Sequence, residues 1–283
     1  MALHHALIVN ADDLGWAPGR DRGILQTIDA GIVTSVSLLA NGPHFTPAAQ
    51  QVQKRQVGIG VHLNLSEGNA LTGYIDGLTD SEGTFLGKHR ARTSFIHATF
   101  DSAAALRELK AQVEKVLAQG LTPDHVDYHQ HMGIFPPTLA LIVEVCCTYG
   151  IGAARLSYPV EAQQHDPKGD LGAELQLYRR FGAAMRAELR RAGIFSPAGI
   201  WGMPLLNGLD STTLTSLLEQ IPPGCWELMV HPGEQDAGIP FCGPERQHEQ
   251  RALTCAAVRE VIRARNIQLI TFGDLHAYSH LLS

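Results

Sequence analysis

Residues 6–40 read ALIVNADDLGWAPGRDRGILQTIDAGIVTSVSLLA and contain one complete strand–helix–strand unit. Ala6 to Ala11 is a short apolar run rich in branched residues, the signature of a buried strand. Gly19 to Gly31 then places Ile24, Leu25 and Ile28 on one helical face and closes at a glycine. A second apolar run over 33–40 follows directly, so the two strands pair in parallel with the helix as their crossover. The same alternation predicts strands near 57–64, 124–129, 152–157, 198–202, 226–231 and 267–272. Helices are predicted at 101–120, with Ser102 as its cap, and at 136–149, 170–193, 211–219 and 246–265. About eight repeats of this kind suggest an α/β protein built as a distorted or incomplete (β/α) barrel, with a doubly wound sheet as the alternative. Segment 66–100, punctuated by Gly68, Gly73, Gly77, Gly83 and Gly87, lacks a clear period and reads as an insertion. Residues 1–283 otherwise read as a single domain.

The chain is 45% hydrophobic and 18% charged with a net charge of -6, a globular composition without the basic footprint of a nucleic-acid binder. Cys146, Cys147, Cys225, Cys242 and Cys255 form no CxxC pair, and their odd number argues against a disulfide framework. Met1-Ala2-Leu3-His4-His5 has neither a basic nor a long apolar region of the kind that directs export. No stretch approaches the ~18 apolar residues of a membrane span. A cytoplasmic setting with reduced cysteines is the expectation.

Chemistry concentrates where strands end. Asp12 and Asp13 close the first strand, and two adjacent carboxylates beside a hydrophobic run repel unless a proton or cation relieves them. His62 closes the third strand, in Gly58-Ile59-Gly60-Val61-His62. On the fourth, His125, Asp127, His129 and His131 alternate with Val126, Tyr128 and Gln130, a period that predicts one shared face. His231 closes the run Trp226-Glu227-Leu228-Met229-Val230. In a parallel barrel these ends meet at the C-terminal rim, where barrel active sites are built. Mixed carboxylate and imidazole donors suit zinc, manganese, cobalt, nickel or iron, and magnesium less well.

Val9-Asn10-Ala11-Asp12-Asp13-Leu14-Gly15, Gly31-Ile32-Val33-Thr34-Ser35 with Asn41-Gly42, Gly60-Val61-His62-Leu63, His125 to His131 and His231-Pro232-Gly233 resemble, in this order, the YdjC-like carbohydrate deacetylases. That family includes chitooligosaccharide deacetylases and hopanoid-biosynthesis-associated members. The resemblance implies a NodB/YdjC-like distorted barrel that hydrolyses the acetyl group from an N-acetylated amino sugar, its oligosaccharide or a glycoconjugate. It implies Asp13, His62 and His129 as ligands of one divalent metal ion, zinc first, with magnesium, manganese, cobalt or nickel as alternatives. Asp12 looks like the general base that activates water, and His231 is the candidate general acid.

Arg155, Trp201, Asp127 and His131 are the candidate substrate contacts. Arg155 could equally hold Asp12 ionised, and Asp127 could accept a hydrogen bond from an imidazole. The family's further histidine beyond His131 is Gly133 here, which bears on substrate recognition, and its Phe after the two aspartates is Leu14. Two other readings compete: a metal-dependent barrel of different chemistry, a phosphoesterase or aldolase, and a non-catalytic sugar-binding protein. The expected partner is the acetylated sugar, with no nucleic acid and no membrane insertion. A homodimer is left open.

Overall fold

The first strand extends further than its apolar run. β1 covers His5–Leu14, and every side chain after His5 is buried. The computed structural model describes residues 5–279; residues 1–4, part of the N-terminal stretch read above, lie outside the described residues. Alternation along β1 serves two surfaces. Leu7, Val9 and Ala11 join the large core shared with the helices, whereas Ala6 and Ile8 pack with Ala153, Ile270, Phe272 and Leu275 inside the curl of the sheet.

After β1 come α1 (Pro18–Asp29), β2 (Ser35–Leu38), α2 (Phe45–Val52), β3 (Gly58–Leu63), α3 (Lys88–His97), α4 (Ser102–Leu117), β4 (His125–Tyr128), α5 (Pro136–Tyr149) and α6 (Asp170–Arg191). The chain continues through β5 (Ile200–Trp201), α7 (Ser211–Gln220), β6 (Gly224–Val230), α8 (Pro244–Thr254), α9 (Ala256–Ala264), β7 (Gln268–Leu269) and α10 (Phe272–Ser279). The strands pair in parallel in the order β4-β3-β2-β1-β6-β5, with β7 added to β1. β7 and β2 divide the length of β1 between them. Ala6 and Leu7 face β7, and Asn10 to Leu14 face β2.

Segment 152–157, predicted as a strand, does not form a ladder. Ala154 makes a single bridge to Val126 of β4, Ala153 bridges Phe195, and Pro159 bridges Ile200 of β5. Arg155 N donates to Val126 O at 3.1 Å and Ala154 N to Phe195 O at 2.8 Å, so the segment touches both neighbours without regular pairing. The architecture is therefore a distorted (β/α) barrel, incomplete between β4 and β5.

Three local expectations are corrected. Asp101, not Ser102, caps α4, its carboxylate accepting from Ala104 N at 2.9 Å. The helix predicted over 246–265 is broken at Cys255, whose backbone is extended, and the break lets α8 pack on α1 while α9 packs on α7. Segment 66–100 is folded: it contains α3 and antiparallel bridges from Asn69 to Thr84 and Thr79 to Phe85, and it buries Ile75, Leu78, Phe85 and Phe95 in the main core. Among the described residues, no helix is long and apolar enough to cross a membrane.

Candidate active site

A regular strand sends neighbouring side chains to opposite faces, so Asp12 and Asp13 should not reach one cavity. A bulge in β1 makes it possible. Asn10 and Ala11 stand opposite Ser35 and Val36, but Leu14 stands opposite Leu38, so β1 fits one extra residue between Ala11 and Leu14. Asp13 adopts a left-handed backbone with φ 66°, a conformation that Asp tolerates better than most residues carrying a Cβ. Both carboxylates then line the same cavity.

β3 and β4 supply the imidazoles. Gly60 precedes His62 on the same face, and a Cβ there would lie 2.3 Å from His125 Nε2, so only glycine leaves that histidine its place. His62 Nδ1 is 2.9 Å from Asp127 Oδ1 and its Nε2 is 3.4 Å from Asp13 Oδ1. His129 follows β4 directly, with Nδ1 3.1 Å from Asp13 Oδ1 and Nε2 2.9 Å from Glu67 Oε2. Asp13, His62 and His129 each offer one ligand atom, and these atoms lie within 4.8 Å of one another.

This donor set fits a divalent ion. With its Nδ1 proton directed at Asp127, a neutral His62 turns the Nε2 lone pair toward a carboxylate oxygen, and two acceptors so placed need a proton or a cation between them. Asp13 Oδ2 accepts from Arg20 Nη1 at 2.8 Å, which leaves Oδ1 for the shared point. A second trio, Asp12, His62 and Asp127, also lies within 4.8 Å, but Arg155 already bonds both of its carboxylates, at 2.6 and 3.0 Å.

Behind the cavity wall lies a layer of buried charge. Arg155 is fully buried and holds Asp12 in a two-pronged bond, Nη1 to Oδ2 and Nη2 to Oδ1, both at 2.6 Å. It also reaches Asp127 at 3.0 Å and Glu227 at 2.7 Å. Asn10 Nδ2 donates to Asp12 Oδ1 at 2.8 Å, and Ser37 Oγ donates to Asp127 Oδ2 at 2.6 Å. One cation does not fully offset three buried carboxylates, and their proton affinities separate accordingly. Burial pushes Glu227 up to about 7 against the pull of Arg155. Burial also raises Asp12, opposed by Arg155 and aided by the charge of Asp127. Burial would raise Asp127 as well, but Arg155 and His62 hold it below the usual carboxylate range. At Asp13, hydrogen bonds to His129 and His62 overcome burial and hold the carboxyl well below that range.

The imidazoles divide the same way. Burial opposes charge on His62, yet Asp127, Asp13 and Asp12 lift it to about 10, and Asp13 with Glu67 raises His129. His231 is held well below its ordinary value by burial and by Arg246, Arg20 and Arg155. His131 is lowered by burial and by Arg155 and Arg92.

The predicted alternation from His125 to His131 lasts only as long as β4. The strand ends at Tyr128, and left-handed Gln130 (φ 53°) and His131 (φ 58°) turn the chain. His125 pairs with Gly60, two residues deeper in the sheet than the His62–Asp127 pair, so it stacks on Phe272 at 4.0 Å and takes no part in the cavity. His131 lines the cavity, with Nδ1 2.9 Å from Ser157 Oγ and its ring 4.8 Å from that of Tyr178. His231 lines it too, Nε2 lying 3.8 Å from Asp12 Oδ2. Arg155 and Asp127 stand behind the wall rather than in it, and Trp201 packs edge-on against Trp226 at 6.0 Å, also outside. The cavity, about 290 Å³, takes its aromatic lining from Trp16, Tyr128, Tyr178 and Phe241 instead. Gly133 has a steric reason: a Cβ there would meet the Tyr128 ring at 2.6 Å.

Arg20, Glu67 and Glu227 escape the sequence reading. Glu227 carried a signal, since a charge in the middle of an apolar strand must be paired if it is buried. Arg20 carried a weaker one, lying one turn from Ile24 on the buried face of α1. Glu67, in the loop after β3, carried none.

The family profile described as YdjC-like protein matches residues 6–264. A carbohydrate deacetylase of Mus musculus is 33% identical over 298 residues, covering 95% of this chain and 94% of the relative. Carbohydrate deacetylase 1 of Listeria innocua is 39% identical over 277 residues, covering 95% and 99%. Among solved structures, an Enterococcus faecalis V583 protein named for cellobiose-phosphate cleavage superposes with a TM-score of 0.74 at 23% identity, covering 96% of this chain and 99% of that one. At that identity the match speaks for the fold.

Proposed function

We infer, since this chain belongs to the YdjC-like protein family, that it is a metal-dependent hydrolase removing the acetyl group from an N-acetylated amino sugar or a short glycan carrying one. The observation that carries the reading is the meeting, on one cavity, of the Asp13–His62–His129 donor trio and a separate carboxylate, Asp12, with His231 beside it. Asp13, His62 and His129 would hold the ion. Bound there, it would supply Lewis-acid charge, making an attacking water more acidic and polarising the acyl oxygen.

The remaining steps belong to the protein's own side chains. Asp12 takes the proton of the attacking water, and burial, which raises its proton affinity, suits it to that task. Arg155 and Asn10 fix the carboxylate's orientation, so Arg155 acts through Asp12 rather than by touching sugar. His231 is neutral at rest, and with its Nε2 3.8 Å from Asp12 Oδ2 one bridging water would relay that proton to it for delivery to the leaving nitrogen. Asp127 orients His62. His131 and the aromatic lining face the sugar, and Leu206, Met229 and Pro240 keep bulk water from the acyl group. The full 283-residue chain works as one domain, and its unpaired cysteines support a reducing, cytoplasmic setting.

The test is acetate release from N-acetylglucosamine and its oligomers by the purified chain. Chelation should abolish release and zinc should restore it. Release that chelation leaves untouched, or a full panel of N-acetylated sugars left intact by zinc-loaded protein, would overturn the reading.

A further inference from the structure

We propose that Glu67 is a positioning residue that fixes the tautomer and orientation of His129, making it the carboxylate partner of the second imidazole as Asp127 is of the first. The proposal rests on the metal-site reading given above. Each candidate ligand histidine has one nitrogen toward Asp13 Oδ1 and the other on a carboxylate. For His62 these are Nε2 at 3.4 Å and Nδ1 on Asp127 at 2.9 Å; for His129 they are Nδ1 at 3.1 Å and Nε2 on Glu67 at 2.9 Å. The two ring nitrogens of an imidazole point away from each other. Glu67 therefore sits behind His129, where it accepts the Nε2 proton and leaves the Nδ1 lone pair for the shared point.

Glu67 is held for this purpose by its backbone. Its N donates to Asn64 Oδ1 at 3.1 Å, and its carbonyl accepts from Asn64 Nδ2 at 2.8 Å and Asn41 Nδ2 at 2.9 Å. Asn64 is fully buried at the end of β3, so the strand that delivers His62 also sets the place of Glu67. Gln130 Nε2 donates to the same Glu67 Oε2 at 2.9 Å, which limits the carboxylate's rotation. The side chain remains about one-third exposed, at 34%, whereas that of Asp127 is wholly buried. Glu67 can thus be changed with less risk to the fold than Asp127.

The experiment titrates zinc against a competing chelator into the metal-stripped full-length chain and reads cobalt absorption spectra in parallel. Glu67→Ala should lower zinc affinity by about 10–100-fold, the usual cost of removing such a partner. Glu67→Gln, which keeps an acceptor without the charge, should fall between Ala and the parent chain. The cobalt spectrum should keep the parent's coordination number, and ¹⁵N shifts of the His129 ring should show loss of the single tautomer. Glu67→Ala with parental zinc affinity and an unchanged tautomer would overturn the proposal while leaving the metal site intact. A cobalt spectrum reporting a lost ligand would also overturn it, by making Glu67 a direct donor. A parent chain that binds neither ion would overturn both this proposal and the reading beneath it.

Discussion

Replacing Arg155 with methionine removes the one cation shared by Asp12, Asp127 and Glu227, all of which are buried. Breaking a buried ion pair from one side costs about 3–5 kcal/mol, because the charge left behind is uncompensated. The loss should not triple with three partners, since Glu227, already pushed up to about 7, can take a proton near neutrality. For 283 residues, an unfolding entropy of about 2.1 cal/mol/K per residue totals about 0.6 kcal/mol/K, so the melting temperature at pH 8 should fall by about 5–8 °C. The pH dependence gives the stricter check. Asp12 and Glu227 are already raised by burial, and without Arg155 they bind protons still more tightly in the folded chain than in the unfolded one. Their contribution is then most favourable below the unfolded values of roughly 4 and is lost as the pH rises through the folded values. The deficit should therefore shrink from pH 8 to pH 5, and adding Glu227→Gln should recover part of it at pH 8. Calorimetry across that range measures both. A deficit below about 1 kcal/mol at pH 8, or one that grows toward acid, would refute the view that Arg155 offsets this charge layer.

Three further outcomes follow from the geometry. In metal-free protein His62 is lifted to about 10, so its stabilisation is complete below about 6.5 and is lost as the pH climbs through 10. An ion must displace that proton, so zinc affinity should rise by up to about tenfold per pH unit between 7 and 9, and a pH-independent affinity would contradict the site. Gly133→Ala drives a Cβ to 2.6 Å from the buried Tyr128 ring and should cost about 1–3 kcal/mol by denaturant melts; Tyr128→Leu in the same chain should relieve it. Gly23→Ala places a Cβ 2.3 Å from Gly233 Cα, where only backbone can yield, so it should displace the His231–Gly233 turn and lower acetate release more than metal content.

The strand ends were legible because polar residues closing apolar runs stand out against them, and Asp12, Asp13, His62, His129 and His231 do come to one rim. The means of bringing them there was not legible. Period-two alternation would have separated Asp12 from Asp13 and aligned His125 with His129. A bulge at Asp13 reverses the first outcome, and His125 stays out of the cavity because it pairs with Gly60, two residues deeper in the sheet than the His62–Asp127 pair; a bulge at a non-glycine position leaves no mark in a single sequence. Segment 152–157 has the composition of a strand yet makes only isolated bridges, one from Ala154 to Val126 of β4 and one from Ala153 to Phe195. Trp201 looked like a sugar platform from its place at a strand end. It sits edge-on to Trp226, and the cavity's aromatic lining comes from Tyr128 at the end of β4 together with Trp16, Tyr178 and Phe241, three residues outside the strands.

The division of labour between two adjacent aspartates is the centre of this account, and Asp12→Asn and Asp13→Asn measured side by side test it most directly. Metal content and acetate release are determined on each after identical zinc loading. Asp12→Asn should keep one zinc per chain while losing about 10²–10⁴ in rate, the range for removal of a general base. Asp13→Asn should lose the zinc itself. Equal loss of metal in both variants, or an Asp12→Asn chain that binds zinc and releases acetate at the parental rate, would contradict it.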